Sequence, residues 1–149
     1  MEFYKFPAEN LDRPELQGKL TIASGPVIIE NGKVLLDQHG EEKLWKFPGG
    51  KVMSNENFEQ TAKREVLEEL KVVVEISGDP YALTFTKEKD GVIVTVVLLH
   101  YFAKRVNDVV EAGRDVDKFG WFDVNDLPTD SHPNVAPVVK HFVEMLKKQ

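Results

Sequence analysis

The stretch that decides the fold is GGKVMSNENFEQTAKREVLEELKV, residues 49–72, because it places a glutamate-rich segment directly behind a glycine pair. Asn57 followed three positions later by Gln60 has the spacing of a capping box, which starts a helix. From Phe58 onward, apolar residues recur every four positions. This period is typical of a helix with one buried face. The pattern therefore predicts a helix over 58–70.

Three glutamates of this helix, Glu65, Glu68 and Glu69, fall within about one third of its circumference. Glu65 and Glu69 are four positions apart, and like charges at that spacing destabilise an exposed helix by about 0.2–0.5 kcal/mol. One interpretation is a purely structural, solvated face on which Arg64 pairs with Glu68. The other is a site for a hard divalent cation, which binds carboxylate and carbonyl oxygens. A carbonyl of the turn around Gly49 would complete such a site.

The segments on either side of this helix read as strands, with one more helix at the end. Asn31-Gly32 and Asp90-Gly91 are turn pairs that favour β-hairpins. The first hairpin is predicted to join antiparallel strands over 19–29 and 33–38. Short β-branched or aromatic strands are predicted at VVVEI and FGWFDV, and NVAPVVKHFVEMLKK has the apolar spacing of a closing helix.

The order of strands, helix, strands and helix predicts an α+β fold. A chain of 149 residues without a linker is expected to form a single domain over 1–149. Its opening, residues 1–18, shows neither helical nor strand periodicity and is predicted to be an irregular N-terminal arm. This arm could contribute to its own site or to a homodimer.

Composition narrows the functional classes. The net charge of −6 argues against nucleic acid or an anionic membrane as a partner, although a bound metal would still permit a small anionic ligand. The absence of cysteine excludes a thiol nucleophile, a disulfide framework and a cysteine zinc site. The chain shows no secretory leader pattern and no apolar run near the ~20 residues that span a bilayer. A cytoplasmic location is therefore expected.

The spacing behind the glycine pair resembles the Nudix box. Gly50 is followed after five residues by Glu56 and, after seven more, by REVLEELKV, residues 64–72. The family pattern is G-x5-E-x7-R-E-U-x-E-E-x-G-U, where U is aliphatic, and the one element that departs from it is Lys71, which replaces a glycine. The preceding LWKFPGGK is similar to the entry of the box in the MutT-like branch.

This resemblance implies a Nudix-like α/β/α sandwich with a mixed sheet, and an enzyme that requires Mg²⁺ or Mn²⁺. Members of the family hydrolyse a diphosphate linked to another group, often a nucleoside, so a nucleoside triphosphate or related nucleoside diphosphate derivative is the expected small-molecule substrate. A Nudix-fold domain that binds or senses a nucleotide without turnover is the alternative.

Residue roles follow from the same resemblance. Glu65 and Glu69 become the principal metal ligands, with Glu68 as a third ligand or a group that orients water, and the Gly49 carbonyl adds a backbone oxygen. Glu56 is expected to brace the loop by pairing with the arginine at the start of the box.

The catalytic set is expected to contain Glu65 as the general base, together with Glu68 and Arg64. In this family the base can also come from a loop outside the box. Of the carboxylates in EAGRDVDKFGWF, Asp115 fits best by its distance before Trp121, and it is included as a possible metal ligand. The other carboxylates in this stretch are Glu111 and Asp117.

Substrate contacts are expected from Gly50, Lys51 and Asn134. Asn134 lies in SHPNVAP, before the last helix, where it is placed either to hydrogen-bond a purine or to cap the helix, and capping is the favoured interpretation. His100, within an apolar strand, is expected to be an interior histidine. Lys71 would cost about 1 kcal/mol in the left-handed turn that glycine suits, so the helix is expected to end in another way.

Overall fold

The computed structural model describes residues 19–149. The expected arm over 1–18 lies outside these residues, so the arm and the single-domain organisation stay predictions. Two helices and eight strands occur in the described part. They are, in chain order, β1 (Lys19–Val27), β2 (Ile29–Glu30), β3 (Lys33–His39), β4 (Gly50–Lys51), α1 (Phe58–Leu70), β5 (Val74–Ile76), β6 (Tyr81–Lys89), β7 (Val92–Arg105), β8 (Val116–Asp123) and α2 (Val135–Lys147).

The strands form two sheets. The larger one has the order β4-β1-β7-β5, and β6 also pairs with β7. Its central pair, β1 and β7, is parallel, whereas β4, β5 and β6 pair in the antiparallel sense. The smaller sheet has the order β2-β3-β8. The larger sheet is therefore mixed, as expected.

The two helices cover opposite faces of the strands. Because side chains alternate across a strand, Leu36 packs in the cluster that contains Phe142 of α2, while its neighbour Leu35 packs in the cluster that contains Val66 of α1. Val27 and the next residue, Ile28, separate in the same way. The architecture is thus an α/β/α sandwich of the α+β class, as predicted.

The first hairpin, predicted to pair strands over 19–29 and 33–38, is much shorter in the structure. The turn at Asn31-Gly32 forms with both residues at positive φ, but β3 pairs there only with the two residues of β2. The longer β1 instead joins the other sheet through β7 and β4. The chain changes sheets at Ile28, where consecutive side chains become buried on opposite faces.

Other local predictions are confirmed. The helix at 58–70 has the predicted bounds, and the capping box between Asn57 and Gln60 is complete. The second hairpin turns at Asp90-Gly91, again with both residues at positive φ. Strand β8 begins earlier than FGWFDV, because Val116 and Lys118 also pair with β3, on either side of a shift in register. Within residues 19–149, no helix is long and apolar enough to cross a membrane.

The helix α1 ends as it would with a glycine, contrary to the expectation. Lys71 adopts the left-handed conformation, with φ 61° and ψ 21°, and its N–H donates to carbonyls of the last turn. Asn107 supports this turn, because its side-chain amide donates to the Lys71 carbonyl at 2.9 Å and its oxygen accepts from the Val73 N–H at 3.1 Å. The surrounding contacts therefore hold lysine where the family pattern has glycine.

Candidate functional site

A partly buried ion pair fixes the loop before α1 to the helix. Arg64 donates through Nε to Glu56 Oε2 at 2.5 Å and through an Nη to Oε1 at 2.9 Å. Thr61 and the Met53 N–H also donate to Glu56 Oε1. The Arg64 hydrogen bonds hold the pKa of Glu56 down at about 2. This is the arrangement expected of a brace.

Arg64 also reaches the acidic face of the helix. It donates to Glu65 Oε1 at 2.7 Å, to Glu68 Oε2 at 3.3 Å and to the Lys51 carbonyl at 3.2 Å. A single guanidinium thus joins the brace, the strand after the glycine pair and two of the expected site carboxylates. Its five donors in a fixed fork allow this, which a lysine could not reproduce.

The glycine pair lies directly against two glutamates of α1. The Gly49 N–H donates to Glu69 Oε1 at 2.9 Å. A Cβ placed on Gly50 would lie 2.5 Å from the carboxyl carbon of Glu65. Any side chain at position 50 would therefore have to displace the Glu65 carboxylate, which occupies that space. Glu65 and Glu69 are only 8% and 3% exposed.

A second group of side chains reaches Glu69 from the end of β3. His39 Nδ1 makes a short contact with Asp37 Oδ1 and lies 2.9 Å from Glu69 Oε2. Burial would lower the pKa of His39, but the two carboxylates outweigh it and raise the pKa to about 9. Burial raises the pKa of Glu69 to about 7, opposed by His39. One imidazole thus faces two carboxylates.

Sequence reasoning missed Asp37 and His39. The available signal was the position of Asp37 within five consecutive buried residues of β3, where a carboxylate without a partner is costly. Proximity to Glu69 was hidden, because 30 positions separate His39 from it in the chain.

Arg114 is another site residue that sequence reasoning missed. Its Nη donates to Glu68 Oε2 at 2.6 Å and lies 3.7 Å from Glu65 Oε2. The backbone holds it there, because the Gly113 N–H donates to the Glu69 carbonyl and the Arg114 N–H donates to the Glu68 carbonyl. A Cβ at Gly113 would meet the Glu68 carbonyl at 2.3 Å, so only glycine permits this approach.

The carboxylates of the late loop do not join this group in the structure. The Asp115 side chain is 79% exposed and its Oδ2 lies 4.0 Å from Arg114 Nε. Asp117 pairs with Lys43 at 2.6 Å. Glu111 contributes its backbone N–H to the Leu70 carbonyl at the end of α1. A ligand role for Asp115 stays a prediction that would require its loop to rearrange.

A cleft of about 740 Å³ opens beside the glycine pair. Its lining includes His39, Gly49, Gly50 and Lys51, together with polar side chains from β7 and the loop before α2. Apolar residues also line it and form what we call the apolar wall: Phe47, Phe85, Val96, Leu98 and Leu99.

Asn134 does not cap α2, so the favoured interpretation is wrong. It stands at the N-cap position, but its side chain makes no capping hydrogen bond. Instead its Oδ1 lies 2.6 Å from His132 Nδ1 and its Nδ2 lies 3.0 Å from His100 Nε2. Both histidines line the cleft, and this pairing holds the amide toward its interior.

His100 is an interior histidine, as expected. It is 5% exposed, and burial lowers its pKa to about 4, with a further contribution from His132. It is therefore neutral near pH 7, and the Asn134 amide N–H has an imidazole nitrogen to donate to.

The residues fit a divalent cation. Glu65 and Glu69 are buried carboxylates on one side of α1, and Glu69 Oε2 has His39 Nδ1 at 2.9 Å. Buried carboxylates are costly unless they are paired or bind a cation. Glu68 lies beside them, at present held by two arginines. Oxygen donors of this kind are those that Mg²⁺ and Mn²⁺ prefer.

The fold is similar to known structures. A MutT NUDIX hydrolase from Burkholderia pseudomallei superposes with a TM-score of 0.72 at 23% identity, covering 82% of this chain and 97% of that one. An Ap4A hydrolase from C. elegans gives 0.70 at 24% identity, covering 87% of this chain and 99% of the other. At these identities the similarity shows the fold alone.

Sequence comparison identifies the family. Two proteins named 8-oxo-dGTP diphosphatase, from Buchnera aphidicola subspecies Schizaphis graminum and Acyrthosiphon pisum, are 42% and 47% identical over segments covering 30% and 23% of this chain. These alignments span only 37% and 27% of the two relatives. The family profile described as NUDIX domain matches residues 20–142. The chain therefore belongs to the Nudix family.

Proposed function

We propose that this protein is a divalent-metal-dependent Nudix pyrophosphohydrolase that cleaves a nucleoside triphosphate, or another nucleoside diphosphate linked to a further group. The observation that carries the proposal is the placement of Glu65 and Glu69 against the glycine pair, which lines the cleft. Buried carboxylates beside an open cleft are suited to bind a cation that meets a substrate from the other side.

The proposed metal ligands are Glu65, Glu68 and Glu69, with the Gly49 carbonyl, and Mg²⁺ is the proposed ion for this set. When bound, the ion neutralises charge on the diphosphate, polarises phosphorus and lowers the pKa of a water. Arg114 must leave Glu68 for that carboxylate to bind the cation. The guanidinium is 57% exposed, so its release requires little rearrangement of buried groups.

The chain's own groups would then position the substrate and remove a proton from the attacking water. Glu65 is the proposed base: Arg64 holds its Oε1, while Oε2 lies 3.7 Å from Arg114 and becomes available when that arginine moves. Arg64 keeps the carboxylate in place and so serves the chemistry as a positioning residue. Proton transfer to a positioned carboxylate contributes about 10²–10⁴-fold to such reactions.

The cleft suggests the direction in which a nucleotide binds. The phosphates are proposed to lie at the glycine end, where Lys51 and Lys46 line the cleft and Gly50 leaves the backbone open. The nucleotide's purine or pyrimidine ring is proposed to lie against the apolar wall of the cleft and near Asn134. Its amide combines donor and acceptor groups, as recognition of a purine edge requires.

The named relatives narrow the substrate panel. Because two similar proteins are named 8-oxo-dGTP diphosphatase, oxidised purine nucleoside triphosphates are the first class to test. The neighbour named Ap4A hydrolase adds dinucleoside polyphosphates. Nucleic acid and membranes are not proposed as partners, and a cytoplasmic location remains the expectation.

The test is release of phosphate or pyrophosphate from nucleoside triphosphates, 8-oxo-dGTP, dinucleoside polyphosphates and nucleotide sugars, each with and without Mg²⁺. We expect turnover of one class that requires the ion and is lost in Glu69→Gln. Glu144→Gln, an exposed change on α2, should retain activity. Nucleotide binding without turnover in any metal would instead establish the binding or sensor alternative.

A further inference from the structure

We propose that Asp37, His39 and Glu69 form a second metal site, selective for a divalent transition ion such as Zn²⁺, on the β3 side of the acidic helix. This inference extends the proposed function, because Glu69 belongs to both ligand sets, but the site includes an imidazole and a carboxylate from outside the Nudix box. Neither follows from the spacing of the box.

The donor atoms converge. One ligand atom from each of the three side chains lies within 4.8 Å of the other two. Two ligands on opposite sides of an ion with bonds of about 2.1 Å lie about 4.2 Å apart. His39 Nδ1 is already in contact with Asp37 Oδ1 and lies 2.9 Å from Glu69 Oε2, so an ion would enter by displacing the imidazole outward from the two carboxylates. Among residues 19–149, these are the His, Asp and Glu side chains that converge so closely.

The three side chains have fewer hydrogen-bond donors than acceptor oxygens. His39 Nδ1 carries at most one hydrogen, and this contact is directed to Asp37 Oδ1. Glu69 Oε2 lies 2.9 Å from the same nitrogen and competes for that one hydrogen, and Asp37 Oδ2 is buried without a hydrogen-bond partner. Asp37 is 0% exposed and Glu69 is 3% exposed. A cation placed among these atoms would satisfy both carboxylates at once.

The remaining contacts keep these donors in place and leave them accessible. The Gly49 N–H holds Glu69 through Oε1, which leaves Oε2 directed toward His39. The His39 side chain is 20% exposed and lines the cleft, so an ion can reach it from solvent. Asp37 is held by the pairing of β3 with β8.

The chemistry of the donors sets the preference. Imidazole nitrogen suits zinc, copper, iron and nickel, whereas magnesium and manganese prefer oxygen ligands. A site with one nitrogen and two carboxylates therefore favours a transition ion, while the Glu65 and Glu68 side of the helix offers only oxygen. Coordination through Nδ1 requires that nitrogen to lose its hydrogen, which passes to solvent as the ion binds.

Pulsed electron paramagnetic resonance tests the site with Mn²⁺ as a paramagnetic substitute for Zn²⁺, while excess Mg²⁺ occupies the oxygen ligands of the box. Electron spin-echo envelope modulation then detects a coordinating imidazole ¹⁴N. The protein should carry no histidine tag. We expect ¹⁴N modulation in the wild type in the presence of excess Mg²⁺, and its loss in His39→Gln. His132→Gln changes a histidine in the same cleft and should retain the modulation, as should Glu65→Gln.

A titration with Mn²⁺ measures binding to a variant that is confirmed to be folded. Asp37→Asn retains the shape of the side chain and should weaken Mn²⁺ binding by about 10-fold or more. Circular dichroism of each variant confirms that it is folded. Absence of ¹⁴N modulation in wild type saturated with Mn²⁺, or its persistence in His39→Gln, would overturn the proposal.

The outcome is separable from the hydrolase proposal. Modulation that depends on His39, in a protein that turns over no nucleotide, would support the second site and contradict the proposed activity. Turnover supported by Mg²⁺, in a protein without ¹⁴N modulation, would contradict the second site alone.

Discussion

The two helices of the sandwich have the same length but are built differently. Each has 13 residues, and each covers one face of the strands. The acidic helix α1 buries Glu65 and Glu69 among its inward residues and begins with a complete capping box. The second helix, α2, buries only apolar residues and begins without a side-chain cap, because Asn134 is engaged by two histidines.

Each helix therefore departs from an ordinary stable helix where it meets the cleft. In α1 the departure is two buried carboxylates, and the brace between Glu56 and Arg64 offsets part of their cost. In α2 the departure is confined to its first residue, and the buried face from Val135 to Phe142 supplies ordinary packing. The difference separates a helix that carries chemistry from one that mainly supports the fold, and each prediction below tests it.

The largest expected effect is on activity, in Glu69→Gln of α1. Loss of this ligand should lower kcat by about 10²–10⁴-fold. Stability should be equal or higher, because burial raises the pKa of Glu69 to about 7 and a neutral amide avoids the burial of charge. Steady-state kinetics and thermal melting measure the two effects. A strongly destabilised variant would show that the glutamate serves the fold.

The matching change in α2 is Phe142→Ala, which should affect stability alone. Phe142 is 1% exposed and packs edge-on against Phe102 at 6.0 Å between ring centres. Its truncation should reduce the free energy of unfolding by about 3–5 kcal/mol. Urea unfolding measures this, and kcat per folded molecule should be unchanged. A large loss of kcat in the folded fraction would contradict the division between the helices.

The brace between Glu56 and Arg64 should make the free energy of unfolding depend on pH in the acid range. The folded pKa of Glu56 is about 2, below its ordinary value of 4.5, so its stabilising effect is complete above pH 4.5 and is lost as the pH falls toward 2. Glu56→Gln removes this dependence. Urea unfolding of both proteins from pH 6 to pH 2.5 should show a difference of about 1.5–3 kcal/mol at the upper end, shrinking with acid. A constant difference would argue against the ion pair.

The smallest expected effect is at the end of α1, in Lys71→Gly. Relief of the left-handed backbone outweighs the greater freedom of unfolded glycine, so stability should rise by about 0.5–1 kcal/mol. Lys63→Gly, at an exposed interior position of the same helix, should lower it by about 0.8–1 kcal/mol. Thermal melting distinguishes the two. A loss of stability in both would show that Lys71 contributes through its side chain.

Local patterns predicted much of the fold and part of the site. The helix at 58–70, its capping box and the turns at Asn31-Gly32 and Asp90-Gly91 depend on spacings within a few turns of chain. The pairing of Glu56 with Arg64 followed from the resemblance to the Nudix family. The hairpin assigned to β1 was wrong, because the choice between two sheets depends on which strands are free to accept hydrogen bonds, and the partner of β1 lies about 75 residues later in β7.

Within the site, the sequence by itself determined which residues on one helix bear carboxylates and that a glycine turn precedes them. Only the tertiary structure decided that Asp37 and His39 reach Glu69, and that Arg114 reaches Glu68. It also decided that Asn134 faces two histidines instead of its own helix. The physical reason is that a helical repeat fixes neighbours three and four positions apart, whereas contacts between elements depend on strand order and on how each face is packed.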